Sequence, residues 1–355
     1  DAGFQLYLVG GSVRDALLGR LGNDLDFTTN ALPDQTEAIL RGITSSVWDI
    51  GRNFGTIGAK KTRGGVSWVI EITTFRADEY EPDSRKPLVA YGDNIEDDLI
   101  RRDFTVNAMA ILVSSDEPQL IDPYAGIEDL ADHLLRTPTD PRISFADDPL
   151  RMMRAARFAS QLEFLVTPDV LKAMTEMAEE IKKISAERIR DELSHLLLTD
   201  DPTPGLDILV QTGIAQIILP ELPAMQLERD EHMRHKDIYQ HSLVVLEQAI
   251  ALEKSRGHEP DLVLRLAALL HDIGKPPTRR MEGRNKVTFH HHDVVGAKMT
   301  RKRMKELRFS SDEIAAVSEL VELHLRFHGY GEKSWTDSAV RRYVRDAGDN
   351  LERLH

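Results

Sequence analysis

Asp24 and Asp26 stand one residue apart in the run Gly22-Asn23-Asp24-Leu25-Asp26-Phe27. On an extended strand alternate side chains share a face, so the two carboxylates point together while Leu25 turns into a core. A pair so placed can hold one or two Mg²⁺ ions, which activate an attacking hydroxyl and neutralise charge on a departing pyrophosphate. Upstream, Gly10-Gly11 follows the apolar run Leu8-Val9 and opens a short amphipathic helical pattern. Such a Gly pair lets the backbone approach a triphosphate and offer its N–H groups, with the helix start adding a favourable dipole. An Asp-x-Asp alone is more often a solvated strand edge; the preceding Gly pair is what turns Asp24 and Asp26 into catalytic candidates. In the run 66 to 72 the apolar residues fall at 66, 68, 70 and 72, leaving Glu71 on the opposite face. Glu71 is either a third carboxylate of the same platform or a polar residue pointing outward.

The elements that must position these groups are short and strand-like in the first third. Residues 5 to 9, 57 to 61, 66 to 75 and 109 to 113 alternate with turns, and Arg63-Gly64-Gly65 reads as a hairpin turn. From about residue 127 the pattern is helical, with Pro and Gly breaks near 137 to 141, 201 to 205 and 220 to 223. The expected class is α+β: a small mixed β-sheet head (1 to 130), an all-α neck and body (131 to 225) and a further helical domain (226 to 355). No fixed-period repeat or low-complexity tract is visible. The chain of 355 residues contains no Cys, so a metal would be held by carboxylates and imidazoles, of which 59 Asp plus Glu and 13 His are present. A formal charge of −14 argues against indiscriminate nucleic-acid binding. Local charge matters more, and Arg gathers at 101, 102, 151, 154, 157, 188 and 190. No apolar run approaches the roughly 18 to 20 residues of a membrane helix and no leader pattern opens the chain, so a cytoplasmic location without a membrane partner is expected. The start without Met, almost inside a strand, and the stop after a helical pattern suggest missing ends.

Gly-Gly-x-Val-Arg-Asp at 10 to 15, followed by Asp-x-Asp, resembles the signature of the polymerase β-like nucleotidyltransferases. RRDFTVNAM (101 to 109) resembles the second motif of the bacterial class II CCA-adding enzyme and poly(A) polymerase family, fitting Arg101, Arg102, Asp103 and Asn107. The resemblance implies that the Asp reads sugar hydroxyls and the basic residues contact phosphates; alone, the cluster would read as a weak surface ion pair. IDPYAGIEDL (121 to 130) resembles the third motif, Asp-Pro-x-Gly-Gly, with Ala125 at the first Gly, and is read as an inter-domain hinge. DDPLRMMRAARF (147 to 158) resembles the fourth motif, Glu-Asp-x-x-Arg, through Asp148 and Arg151, with Asp147 in place of the Glu thought to order that Arg. In the family these two read the base edge of incoming CTP or ATP: a carboxylate accepts from an exocyclic amine and a guanidinium donates to a ring nitrogen or carbonyl. Asp148 before Pro149 also looks like a helix N-cap, and both readings can hold together. ERIRDEL (187 to 193) resembles the family's ERI-x-x-EL helix, which implies either a structural element near the nucleotide pocket or Arg side chains that meet RNA phosphate. The stretch 77 to 87 resembles the flexible loop that full CCA-adding enzymes retain. The nucleotide-binding set implied is Gly10, Gly11, Arg14, Arg102, Asp103, Asn107, Asp148, Arg151, Arg154 and Arg157.

Farther on, LVLRLAALLHDIGKP (262 to 276) is an apolar helix closing in His271-Asp272, with His241 before it and His292 after it. This resembles the HD metal-dependent phosphohydrolase domain, in which a first His, the HD pair and a distant Asp hold a divalent metal that activates water. The ligands carried forward are His241, His271 and Asp272, with the closing Asp expected beyond residue 355. His235, His290, His291, His324 and His328 are read as exposed or merely supporting. Together the resemblances imply addition of C, C and A to the 3′ end of tRNA from CTP and ATP with Mg²⁺, and a possible second divalent metal in the HD domain. Poly(A) polymerase is the alternative within the family. A different class of reading makes the HD domain the active part, a phosphohydrolase to which the head only delivers RNA. Oligomeric state is left open.

Overall fold

The computed structural model describes residues 2–51, 55–79, 88–91, 94–115, 117–226, 237–282, 286–327 and 336–354. Strands β1 (Leu6–Val9), β2 (Asp24–Thr29), β3 (Ser46–Gly51), β4 (Thr56–Arg63) and β5 (Val66–Thr74) are followed by the small pair β6 (Arg76–Glu79) and β7 (Leu88–Tyr91), then β8 (Ala110–Leu112) and β9 (Gln119–Ile121). Seven of them form one sheet in the order β3-β4-β5-β2-β1-β8-β9. Within it β2 and β5 run parallel, while the other neighbouring pairs are antiparallel. Helix α1 (Gly11–Leu17) joins β1 to β2, α2 (Pro33–Arg41) follows β2, and α3 (Ile95–Ile100) precedes a 3₁₀ turn at Thr105–Asn107. Period-2 alternation gives the sheet two apolar faces. Leu6, Phe27, Ile70 and Ile72 pack with Leu40 of α2 on one face, and Tyr7, Val9 and Ala110 pack with Ile95 and Leu99 of α3 on the other.

Helices α4 (Gly126–Ala131), α5 (Pro141–Asp147), α6 (Leu150–Leu162), α7 (Pro168–Glu176), α8 (Ala186–Leu197), α9 (Thr203–Gln211) and α10 (Ala215–Ile218) come next. They are followed by α11 (Ile238–Ser255), α12 (Leu262–Leu270), α13 (Lys275–Thr278), α14 (His292–Glu306), α15 (Ser311–Leu323), α16 (Asp337–Ala347) and α17 (Leu351–Leu354). The helical tract is less pure than its periodicity predicts. A parallel pair, β10 (Leu134–Leu135) with β11 (Leu165–Val166), and a hairpin, β12 (Arg280–Glu282) with β13 (Lys286–Thr288), interrupt it. These runs of two or three residues are too short to carry a period of their own.

The chain divides into two compact units, residues 1–147 with 165–170, and residues 148–164 with 171–355. The segment read as a hinge, 121 to 130, lies inside the first unit. A Cβ on Gly126 would stand 2.4 Å from the Thr105 carbonyl oxygen, so α4 is packed hard onto the 3₁₀ turn. Asp122 fixes the entry to α4 by accepting from the N–H groups of Gly126 and Ile127 at 2.7 and 2.9 Å. Asp103 is buried at the foot of the same turn. No described helix is long and apolar enough to cross a membrane.

Candidate active sites

In the first unit the parallel register sets Asp26 of β2 directly beside Glu71 of β5, with Asp24 opposite Val69. Neighbours in register share a face, so Asp24, Asp26 and Glu71 form a group of three carboxylates on the side of the sheet opposite Phe27 and Ile72. On its other flank Glu71 faces Gly58 of β4, which offers no side chain to crowd it. Partial withdrawal from bulk water, opposed by Arg102 and reinforced by Asp24, raises the Asp26 carboxyl above its ordinary range. Glu71 rises too, through desolvation first and then the charges of Asp26 and Asp24. Crowded like charges of this kind favour a bound cation. The donor set, all carboxylate oxygens, suits a hard ion such as Mg²⁺.

The Gly pair is tied to this group by Ser12, whose Oγ accepts from the Asp26 N–H at 2.9 Å. Gly10 has φ of 64°, in the left-handed region. A Cβ there would lie 2.7 Å from Arg102 Nη1, so glycine admits the guanidinium against the turn. Arg102 is held by Asp98 at 3.0 Å, and its Nε is buried with no hydrogen-bond partner among the described residues. Arg14, Asp103 and Asn107 are brought together as a buried network: Arg14 Nη1 donates to Asn107 Oδ1 at 2.7 Å, and Asn107 Nδ2 donates to Asp103 Oδ1 at 2.9 Å. Asp103 Oδ1 also accepts from the Phe104 N–H at 2.8 Å, so this carboxylate braces the 3₁₀ turn.

In the second unit Asp148 leads into α6. Its Oδ1 accepts from the Leu150 N–H at 3.1 Å, the capping role, and its Oδ2 accepts from Arg188 Nη2 of α8 at 2.8 Å. Arg151, Arg154 and Arg157 follow on α6 at helical spacing. Glu192 of α8 gathers the latter two, with Arg157 at 2.8 Å and Arg154 at 3.6 Å. Arg157 also lies over the Phe158 ring, 4.3 Å from its centroid. The ERI-x-x-EL helix, expected either to be structural near the nucleotide pocket or to turn its Arg side chains to RNA phosphate, supplies Arg188 and Glu192, the groups that hold Asp148, Arg154 and Arg157. The stretch 80 to 87 of the loop at 77 to 87 lies outside the described residues, as do His235 and His328.

A second cluster in this unit centres on Asp272. His271 Nε2 lies 3.0 Å from Asp272 Oδ2 and His241 Nε2 3.8 Å from the same oxygen. His292 and His324 Nε2 lie 3.3 and 3.7 Å from Asp272 Oδ1, and Lys275 Nζ lies 3.0 Å from Oδ2. Three of the rings are aimed in one way: Nδ1 of His271, His292 and His324 lies 2.8, 2.8 and 2.6 Å from the carbonyl oxygens of Ala268, Phe289 and Val321. A carbonyl only accepts, so each Nδ1 carries the proton and each Nε2 faces Asp272. Buried Asp272 Oδ2, His292 Nε2 and His324 Nε2 lack well-formed hydrogen bonds among the described residues. Close approach without hydrogen bonding is the arrangement of ligands around a common ion. Burial opposes ionisation of Asp272, yet His271, His292 and Lys275 hold it well below the usual carboxylate range. Burial and the neighbouring His271 push His324 down to about 4, favouring the neutral ring a metal needs. Against burial, contact with Asp272 lifts His292. His324, read from sequence as supporting, is thus inside the cluster. His290 and His291 are exposed, as that reading had it. A cavity of ≈ 680 Å³ opens beside the rings, lined among others by His241, His271, His324, Leu252, Arg256 and Arg353.

Residues 6–136 match the family model described as "Poly A polymerase head domain", 163–225 that described as "Probable RNA and SrmB- binding site of polymerase A", and 238–352 the HD domain. An A-adding tRNA nucleotidyltransferase of Deinococcus radiodurans is 33% identical over 347 residues, covering 95% of this chain and 71% of the relative. A CCA-adding enzyme of Levilactobacillus brevis is 40% identical over 217 residues, 61% of this chain and 52% of the relative, so the chain spans about half of that relative's length. The crystal structure of a Bacillus stearothermophilus CCA-adding enzyme in complex with CTP is similar with a TM-score of 0.64 at 26% identity, covering 99% of this chain and 73% of that one.

Proposed function

Since this chain belongs to the tRNA nucleotidyltransferase family, with a poly(A) polymerase-type head and an HD domain, we propose that it adds C, C and A to the 3′ end of tRNA from CTP and ATP. The observation that carries the reading is the group of Asp24, Asp26 and Glu71 on adjoining parallel strands, fastened through Ser12 to the Gly10-Gly11 turn. These carboxylates would hold Mg²⁺, which when bound lowers the pKa of the RNA 3′-hydroxyl and neutralises the leaving pyrophosphate. The protein's own share is positioning. The Gly pair admits a triphosphate to the backbone, Arg102 brings a cation with an unused Nε–H to the turn, and the buried Arg14–Asn107–Asp103 chain keeps the floor rigid. In-line attack of the hydroxyl on the α-phosphorus then needs little more than alignment and charge compensation. Asp103 is assigned to the ribose hydroxyls. Asp148 and Arg151 are assigned to the base edge, with Arg154 and Arg157 supporting nucleotide binding. The three-part division at 1–130, 131–225 and 226–355 goes with this assignment, supported by the three separate matches.

The choice among C, C and A is tested by incubating the protein with tRNA lacking its 3′ end and with each NTP singly. CTP alone should extend the RNA by two residues and ATP should then close it with one. Continued A addition without CTP would favour a poly(A) polymerase, and A addition only to RNA already ending in CC would favour the A-adding activity named for the Deinococcus relative.

The Asp272 cluster supports a second chemistry beside the first: a divalent metal held by imidazole Nε2 atoms and Asp272, activating water against a phosphate ester, with the adjoining cavity large enough for a nucleotide. Opening of a 2′,3′-cyclic nucleotide to its nucleoside monophosphate in the presence of added divalent metals tests it.

A further inference from the structure

Helix α14 carries an unbalanced charge. Residues 298 to 305 read KMTRKRMK, five cations and no acid, in a chain of formal charge −14. Its buried residues, His292, Gly296, Ala297, Thr300 and Met304, make one stripe that packs on α15. Lys298, Lys302 and Lys305 are exposed and spaced four and three apart, so they line one side of the helix over about 10 Å. Arg303 is taken by Glu221 at 3.0 Å and Glu306 at 2.7 Å, and Arg301 shares a cleft with Glu319 and Glu322. No carboxylate pairs with the three lysines among the described residues. Acidic groups are plentiful in this chain, and other exposed lysines, such as 172, 182, 183 and 254, do have acidic partners.

The lysine row also leads somewhere. Past its end, Arg308 adopts a left-handed backbone with φ of 63°, a position that glycine usually fills. The carbonyl so turned accepts from Arg190 Nη1 of α8 at 2.6 Å. One half-turn away on α8, Arg188 holds Asp148. The row is therefore continuous, within one unit, with the helix that braces the assigned base-reading residues.

We propose that Lys298, Lys302 and Lys305 form a track for the phosphate backbone of the RNA substrate, leading past Arg308 toward α8, whose Arg190 is held by Asp191 and anchors that end. The proposal rests on the reading that RNA is the acceptor. Three phosphate contacts release counterions in proportion, which sets both affinity and its salt dependence.

The test compares the full chain with a triple variant, Lys298→Gln, Lys302→Gln and Lys305→Gln, binding a labelled tRNA that lacks its 3′ CCA over a series of salt concentrations. A control, Arg41→Gln, Lys254→Gln and Arg345→Gln, removes the same charge from exposed cations paired with Glu37, Asp200 and Asp346. The track predicts a dissociation constant raised about tenfold or more at low salt in the triple variant, and a log K against log salt slope shallower by about two to three, with the control close to the parent. In turnover, the KM for tRNA rises while the KM values for CTP and ATP hold. Equal binding and equal slopes in parent and triple variant overturn the track and leave the function standing. Equal loss in the triple variant and control also overturns it, because net charge alone would then explain the effect. A parent protein that neither binds tRNA nor extends it overturns the function reading itself.

Discussion

Glu71 is the residue whose role turns on a single fact, the parallel pairing of β2 with β5. Its alternation with Val66, Trp68, Ile70 and Ile72 was legible, so its face could be read from the sequence. What could not be read was its neighbour: strands 45 residues apart in the chain are brought together by tertiary pairing, and no local period encodes the register that opposes Asp26 to Glu71. Replacing Glu71 with Gln keeps shape and removes charge. Nucleotide incorporation should fall by about 10–100-fold, the size found for groups that support metal ligands, with the melting temperature unchanged or raised because two crowded carboxylates are relieved. Steady-state incorporation with a Mg²⁺ titration checks this. An unchanged rate would make Glu71 a bystander. The same contrast holds at the second cluster. The His-Asp pair is adjacent in sequence and was plain, with His241 and His292 legible on either side of it, whereas His324 joins it at the end of α15 and carries no spacing signal. The repeated geometry, Nδ1 toward the carbonyl three residues back, becomes visible only once the helix ends are known.

At the scale of elements, the helices of the second unit are held by a few buried polar links whose removal can be costed. Arg265 of α12 is 1% exposed and pairs with Glu253 of α11 at 2.7 Å. Its Nη1 donates to the carbonyl oxygens of Leu197 and Thr199, each at 2.7 Å, where α8 ends. One side chain thus fastens three helices, and α8 is the one bearing Arg188 and Glu192. Arg265→Met leaves Glu253 Oε2 and two carbonyls without their donor, Oε1 keeping the Asp261 N–H, a loss of about 3–5 kcal/mol, whereas the double change with Glu253→Met should recover the part due to the unpaired carboxylate. Denaturant unfolding of the two variants measures the difference; equal losses would mean that the ion pair is not the binding element. Gly274 is the other pinch point. A Cβ there would stand 2.0 Å from the His292 carbonyl oxygen and 2.7 Å from the Gly296 nitrogen, both backbone atoms that cannot swing aside. Gly274→Ala should therefore cost at least about 1–3 kcal/mol and pull α14, with His292, away from Asp272. Loss of divalent-metal binding by calorimetry, at a temperature where the variant is still folded, is the readout. That this glycine exists for a backbone crossing was not legible in the sequence.

For the whole molecule the question is whether one chain runs two chemistries. The first unit collects carboxylates alone and the second collects imidazoles around one buried carboxylate, so the two centres call for different ions: a hard cation on Asp24, Asp26 and Glu71, and a borderline transition metal on the histidine cluster. Each centre also lies within its own compact unit. The two activities should therefore separate cleanly under mutation. Asp24→Ala with Asp26→Ala should abolish nucleotide incorporation and leave metal-dependent phosphate-ester hydrolysis in place. His271→Ala with Asp272→Asn should do the reverse, provided the melt shows that the second unit survives. Supplying Ni²⁺, Co²⁺ or Mn²⁺ to a chelator-stripped protein should restore hydrolysis by the parent and by the Asp24, Asp26 variant, while Mg²⁺ alone restores incorporation. If the His271, Asp272 variant lost incorporation while fully folded, the two centres would be parts of one reaction, and the division of labour argued from their ligand chemistry would fail.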